Sequence, residues 1–256
     1  MTVPVRFAAN VAWLFADRPW VDSFAAAADA GFARVEFPWP DDPPATADAV
    51  RGAGLGVALL NMTAGDLGAG ERGWPNDADR VDEWRDGFRQ ALELAAAVGC
   101  RTVNVLAGND TGAASLARQL TCLEETLRWA LPVAADAGVT LVTELLNRRE
   151  NPDYLLATLD DAAPLLERLG PMGWKLQLDT HHLGLTVDDV PSAIRSAAGH
   201  IGHVQVADVP GRHEPGTGSL DWPAIGAALR DARYAGPIGL EYQPLTGVVD
   251  GRWLTG

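Results

Sequence analysis

Eight short apolar runs recur along the chain, and seven of them follow a helix-like stretch closed by a small or apolar residue plus glycine. The closing pairs are Ala30-Gly31, Ala53-Gly54, Val98-Gly99, Ala137-Gly138, Leu169-Gly170, Ala198-Gly199 and Ala235-Gly236. Glycine past a helix end takes the left-handed conformation at little steric cost, so each pair predicts a helix stop. The predicted strands then lie at 35–37, 57–60, 103–106, 141–144, 176–179, 204–206 and 238–242, with one more at 7–10 opening the chain. Helix and strand alternate from end to end with no linker or shift of composition. One domain spanning 1–256 is therefore expected. Repeated αβ units mean a parallel sheet, and eight of them in 256 residues match a single (β/α)8 TIM barrel. An open doubly wound sheet is the alternative. The glycine-rich phosphate loops that mark many such sheets are missing from the sequence.

Four of the strands close on a polar side chain. The segments are 140–144 (TLVTE), 175–179 (KLQLD), 201–205 (IGHVQ) and 238–241 (IGLE), ending in Glu144, Asp179, Gln205 and Glu241. A carboxylate at the end of a buried run is costly unless it is paired or binds a metal. Singly, each is ordinary, since a strand-end carboxylate is often half of a structural ion pair. Recurrence at equivalent positions on four strands shifts the balance. Residues two apart share a strand face. If those faces point inward, three carboxylates and one amide oxygen meet at the barrel mouth. That is a hard-oxygen cage for one divalent cation, Mg2+ or Mn2+ rather than zinc, with no organic cofactor implied.

The connections after the strands are the long ones. Residues 61–78 (NMTAGDLGAGERGWPNDA) follow the third strand and 209–221 (VPGRHEPGTGSLD) follow the seventh. Barrel enzymes carry their chemistry on that face, and long glycine-rich loops there read as lids. His182, three residues past Asp179, is placed to touch substrate or a ligating carboxylate, or else is an exposed loop histidine. Arg212 lies within reach of an anionic substrate group, or on the surface. Trp13, Phe15 and Trp39 follow the first two strands as pocket walls or as ordinary packing. Lys175, four residues before Asp179, falls near the base of the barrel. A polar layer of the interior suits it better than a Schiff base.

Composition narrows the partners. With 34 acidic against 20 basic residues and a net charge of −14, the surface repels nucleic acid and anionic membranes. No run is long enough to cross a bilayer, and the N-terminus lacks the pattern of a secretory signal. Cys100 and Cys122 form no CxxC pair and read as free thiols, which suits a cytoplasmic setting. A small molecule is the expected partner, and exposed barrel helices commonly pair into a homo-oligomer.

The chain resembles the xylose isomerase-like barrels and, within them, the hydroxypyruvate isomerase family. The likeness runs through Arg6 to Asn10 with Leu14-Phe15, Ala30-Gly31-Phe32 with Val35-Glu36-Phe37, and Gly65-Asp66 to Gly73. It continues in Val105 to Gly108, Glu144 to Asn147 with Arg149-Glu150, Pro152 and Tyr154, then Leu178-Asp179 with His182 and Gly202 to Gln205. Gly211 to Gly218 (GRHEPGTG), closed by GLEY at Gly239 to Tyr242, is the most specific stretch. The resemblance implies that Glu144, Asp179, Gln205 and Glu241 hold one divalent ion and that Glu144 and Glu241 move protons. On the same basis His182, Arg212, Asn10, Glu71 and Arg72 are expected to bind substrate. Leu145 stands where relatives often have proline, and Gln243 where many carry a basic residue. Gly251-Arg252-Trp253 follows the family's ending only loosely.

The expected reaction is an aldose–ketose shift of a small 2-oxo or hydroxy acid, hydroxypyruvate to tartronate semialdehyde or a close analogue, through an enediolate. A ketose 3-epimerase acting on free sugars is the first rival, although such relatives tend to place histidine at the Gln205 position. A repair endonuclease would need more metal-binding histidines and a basic face, and a non-catalytic sugar-acid binder would not need an intact cage.

Overall fold

A computed structural model gives the architecture and describes residues 7–245. Arg6 and the 251–253 ending therefore lie outside the described residues. Eight parallel strands close a barrel in chain order, with β8 returning to β1. They are β1 Phe7–Asn10, β2 Arg34–Phe37, β3 Gly56–Asn61, β4 Thr102–Asn104, β5 Thr140–Glu144, β6 Lys175–Asp179, β7 Ile201–Val206 and β8 Ile238–Leu240. The helices are α1 Val11–Leu14, α2 Trp20–Asp29, α3 Pro43–Gly52, α4 Val81–Val98, α5 Leu116–Asp136, α6 Leu159–Leu169, α7 Thr180–Gly184, α8 Val190–Ser196 and α9 Trp222–Asp231. The expected TIM barrel is what the chain forms.

Strand alternation divides the core in two. Outward residues such as Val35, Phe37, Leu141 and Leu176 pack under the helices. Trp20, Phe24 and Phe37 meet edge-to-face there at 5.5–6.1 Å between centroids. Each such side chain contributes roughly 1.5–3 kcal/mol by leaving water. Inward residues are of another kind. On β5, Val142 faces Gly202 of β7, a strand that is not its neighbour, and a Cβ on Gly202 would collide with the Val142 side chain. Above that apolar floor the interior is polar. Asn10, Glu36, Asn104, Glu144, Gln177, Asp179, His203 and Gln205 are all buried.

Helix entry follows from sequence. Asp42, Asp189 and Asp221 each cap a backbone N–H three residues on, and each helix carries proline in its first turn. Thr158 and Asp161 form a reciprocal capping box at α6. Such caps contribute about 1 kcal/mol apiece.

Helix exits depart from the sequence expectation in two places. Gly31, Gly54, Gly99, Gly138 and Gly199 are left-handed as expected, but Gly170 is not. After Leu169 the chain runs into a short 3-10 turn, Gly170–Met172, and Gly173 takes the left-handed position at φ 98°. After α9 the left-handed residue is Arg233, φ 55°, rather than Gly236. Two strands are shorter than expected: β4 stops at Asn104, and β8 at Leu240, so Glu241 stands one residue past its strand. Lys175 is also corrected. It sits at the N-terminal end of β6 with its ammonium 2.6 Å from the Gly199 carbonyl, so the interior layer is filled by Gln177 and His203 instead. The long connections 62–80 and 207–221 both cover the C-terminal end of the barrel, as expected.

Candidate active site

The site is built where β5, β6 and β8 end. Glu144 is the last residue of β5 and Asp179 the last of β6, where it also caps α7 through the His181 N–H at 2.9 Å. Glu241 follows β8 directly. Its Oε1 accepts from Asn10 Nδ2 at 2.8 Å, which ties the end of β1 to the same cluster. Arg212, from the loop after β7, completes it. One guanidinium nitrogen donates to Asp179 Oδ2 at 2.8 Å and also to Glu241 Oε2. The guanidinium lies 4.5 Å above the Trp13 ring. Arg212 adopts φ 54°, a region disfavoured for a side-chain-bearing residue, so the loop is held in a strained shape that aims this cation at the carboxylates.

Burial sets the electrostatics. Desolvation, then repulsion from Glu241 and Asp179, pushes the Glu144 carboxyl well above the usual carboxylate range, with Arg212 opposing. Glu241 is pushed up to about 8, chiefly by burial; Arg212 opposes, while Asp179 and Glu36 add to the rise. Burial also works against the charge of Arg212, yet Asp179, Glu241 and Glu144 hold it above its ordinary value. The mutual repulsion that raises Glu144 and Glu241 is what an added cation would relieve, letting both carboxyls ionise beside Asp179.

His182 is buried on α7, not exposed. Its Nε2 lies 3.8 Å from both Glu144 Oε1 and Asp179 Oδ2. These three side chains bring one ligand atom each within 4.8 Å of one another. Hydrogen bonding decides what the histidine does there. The Asn147 backbone N–H donates to His182 Nδ1 at 3.2 Å, and Asn147 Nδ2 lies 2.6 Å from the same atom. Nδ1 is thus the acceptor. Burial holds the ring neutral, pushing its pKa down to about 4 against the opposing pull of Asp179. We therefore assign the proton to Nε2, which leaves that nitrogen a donor without a free lone pair.

The other expected residues divide. Asn10 joins the cluster. Gln205 is in register with Asp179, but its amide turns across the barrel: Nε2 donates to Glu36 Oε1 at 2.7 Å, and Oε1 accepts from Gln177 Nε2 at 2.6 Å. Glu71 serves its own loop, accepting from the Asp66 N–H at 2.7 Å and from Arg80 at 3.1 Å. Arg72 reaches inward through Asn151, whose Oδ1 accepts from its Nε at 2.7 Å, and Asn151 in turn bonds the Asn147 carbonyl. Trp13 lies under Arg212, whereas Phe15 packs edge-to-face on Phe32.

Several site residues carry no role in the sequence reading. Asn104 Nδ2 lies 3.3 Å from Glu144 Oε2. Glu150 accepts from Asn147 at 3.0 Å and lies 3.1 Å from His181 Nε2. Glu36 and His203 pair at 2.7 Å inside the barrel. Glu36 had a readable signal, being a carboxylate between Val35 and Phe37 in an otherwise apolar strand.

Does the donor set fit a divalent ion? Glu144 Oε1, Asn10 Oδ1, Asn104 Oδ1 and Gln177 Oε1 are buried oxygens that accept no hydrogen bond among the described residues. Buried acceptors left unsatisfied are costly, and hard oxygens are what Mg2+ or Mn2+ takes. Of the expected ligands Glu144 offers such an oxygen, and Asp179 and Glu241 add carboxylates beside it, so the donor chemistry suits a divalent ion, while Gln205 Oε1 is engaged by Gln177.

The family model described as xylose isomerase-like TIM barrel matches residues 24–254. The chain belongs to that family. Among similar proteins, the 2-oxo-tetronate isomerase of Cupriavidus necator is 36% identical over 252 residues, covering 97% of each chain. The hydroxypyruvate isomerase of Escherichia coli is 32% identical over 253 residues, covering 98% of each. A solved structure from Brucella melitensis, described as an AP endonuclease of family 2, is 35% identical with TM-score 0.88 over 94% of each chain. The D-psicose 3-epimerase of Clostridium cellulolyticum superposes with TM-score 0.72 at 20% identity over 93% of this chain and 89% of that one, a likeness of fold. Within the xylose isomerase-like family, this chain is an isomerase related to the hydroxypyruvate and 2-oxo-tetronate enzymes.

Proposed function

We propose that this enzyme interconverts the aldehyde and ketone forms of a small 2-oxo or hydroxy acid, hydroxypyruvate and tartronate semialdehyde or a four-carbon analogue. The observation that carries the reading is the meeting of Glu144, Asp179 and Glu241 with Arg212 at one mouth of the barrel. The names of the relatives support the substrate class. Glu144, Asp179, Gln205 and Glu241 are the proposed ligands of one Mg2+ or Mn2+. When bound, the ion polarises the substrate carbonyl and offsets negative charge as it develops.

The chain's own groups supply the rest. A glutamate, Glu144 or Glu241, removes the proton from the hydroxyl-bearing carbon, and the electron pair moves into an enediolate. Return of that proton to the neighbouring carbon, with the hydroxyl proton passing from one oxygen to the other, completes the shift and balances the atoms. Positioned acid–base groups of this kind are worth roughly 10²–10⁴ in rate. His182 Nε2–H is aimed at the space between Glu144 and Asp179 and can hydrogen-bond a substrate oxygen there. The planar donor fork of Arg212 suits a carboxylate, and Arg72 is the second cation toward the same end. Loops 62–80 and 207–221 would restrict water.

Glu144→Gln should lower kcat by roughly 10³-fold or more while the circular dichroism spectrum stays that of the native barrel. An unchanged turnover number would remove Glu144 as proton carrier. Turnover of free ketoses in preference to hydroxypyruvate would favour 3-epimerase activity instead. The endonuclease description of the Brucella protein finds little support in this chain, whose charge of −14 repels phosphodiester. A cytoplasmic location suits its two free cysteines. No helix among the described residues is long and apolar enough to cross a membrane.

A further inference from the structure

Beneath the carboxylate cluster lies a polar contact that spans the barrel. Glu36 belongs to β2, and Gln205 and His203 belong to β7, with β1 and β8 between them. The Glu36 side chain is fully buried. His203 Nε2 lies 2.7 Å from Oε2, Gln205 Nε2 lies 2.7 Å from Oε1, and Asn10 Nδ2 lies 3.3 Å from Oε1. Room for this carboxylate is made by β8. A Cβ on Gly239 would overlap both of its oxygens, so glycine below Glu241 is what leaves the carboxylate in this place.

An amide has two ends of nearly equal shape, and nothing in its own covalent structure says which faces where. A carboxylate that accepts through both oxygens resolves the choice. It attracts the NH2 end of Gln205, which turns Oε1 the other way, toward Gln177 Nε2. It does the same to Asn10, whose NH2 also reaches Glu241 Oε1 at 2.8 Å and whose oxygen is left as a buried acceptor. We propose that Glu36, braced by His203, is a positioning residue. It fixes the amide of Gln205 with its nitrogen on Glu36 and its oxygen toward β6, where a lone pair beside the Gln177 bond can take a divalent cation, and, through Asn10, holds Glu241 in place. The inference rests on the cation reading given under Proposed function, and it adds a group that touches neither ion nor substrate. Partners that orient a ligand typically contribute about 10–100-fold in metal affinity.

The test is Mn2+ affinity of the whole protein, read by electron paramagnetic resonance of free Mn2+ without substrate. Glu36→Gln keeps the shape but offers an amide in place of a two-oxygen acceptor. It should weaken Mn2+ binding about 10–100-fold. Gly239→Ala keeps the carboxylate and displaces it sterically, and should weaken binding in the same way even if Glu36→Gln folds poorly. Thr46→Val is the control for mere destabilisation. It removes the acceptor of the Trp20 indole N–H at 2.8 Å under α3, so it should lower Tm and leave Mn2+ affinity within about twofold. Wild-type affinity retained in either folded barrel variant overturns the positioning role alone. A wild-type protein that binds no Mn2+ overturns the cation reading, and the positioning role with it.

Discussion

Asp208 anchors the loop that carries Arg212, and its replacement by asparagine is a sharp test of how that loop is held. The residue is fully buried. Its Oδ1 accepts from the Val209 and Leu220 N–H groups at 2.8 and 3.1 Å, and its Oδ2 from Gly216 N–H and the Trp222 indole at 2.8 and 2.7 Å. One carboxylate thus joins the end of β7, the loop and the start of α9. Asp208→Asn preserves volume and one acceptor oxygen but sets an NH2 against two N–H donors. Hydrogen bonds to a charged acceptor contribute about 1.5–3 kcal/mol each, so losing two should cost about 3–6 kcal/mol. Urea unfolding followed by tryptophan fluorescence measures the loss. Limited proteolysis should show earlier cleavage within 209–219, because the loop can open before the barrel does. A stability change below about 1 kcal/mol would mean that the carboxylate's charge and second oxygen are not what holds the segment.

Two further outcomes follow from buried groups. In metal-free protein, Glu241 is held up to about 8 against an ordinary 4.5, so between those values the unfolded chain releases a proton that the folded state keeps. Stability should therefore fall as pH rises through that window and level off above it, by up to about 5 kcal/mol from this group. Glu241→Gln should flatten that part of the profile, and urea midpoints of chelator-treated protein at pH 5, 7 and 9 check it; equal slopes for the two proteins would contradict the assignment. Tyr154 is buried with its hydroxyl 2.9 Å from both the Ala107 N–H and the Glu144 carbonyl, which locks the backbone behind the site. Tyr154→Phe leaves that N–H without its acceptor and should lower stability by about 1–3 kcal/mol in the same assay, whereas an unchanged midpoint would show that the hydroxyl is dispensable.

What the sequence makes legible depends on how local each signal is. Strand and helix order follow from runs and caps a few residues long, which is why the barrel and its two covering loops were legible. The strand-tip carboxylates were legible for a related reason: an ionised group ending an apolar run has no cheap local explanation. Amide orientation is another matter. Gln205 was recognisable as inward by period two, but its partner is 169 residues away, across two intervening strands. Lys175 lies low in the barrel as expected, but its ammonium turns to the Gly199 carbonyl at the lower rim instead of joining the interior layer. Glu36 is the instructive case. By the test applied to Glu144 and Asp179, a carboxylate flanked by Val35 and Phe37 needs a partner, and inward alternation sends it into the same interior. Strand ends alone do not reveal it, because it is not at a mouth-facing tip. A closed barrel makes every inward position on every strand a neighbour of the others, so a buried charge midway along any strand carries as much information about the site as one at its end.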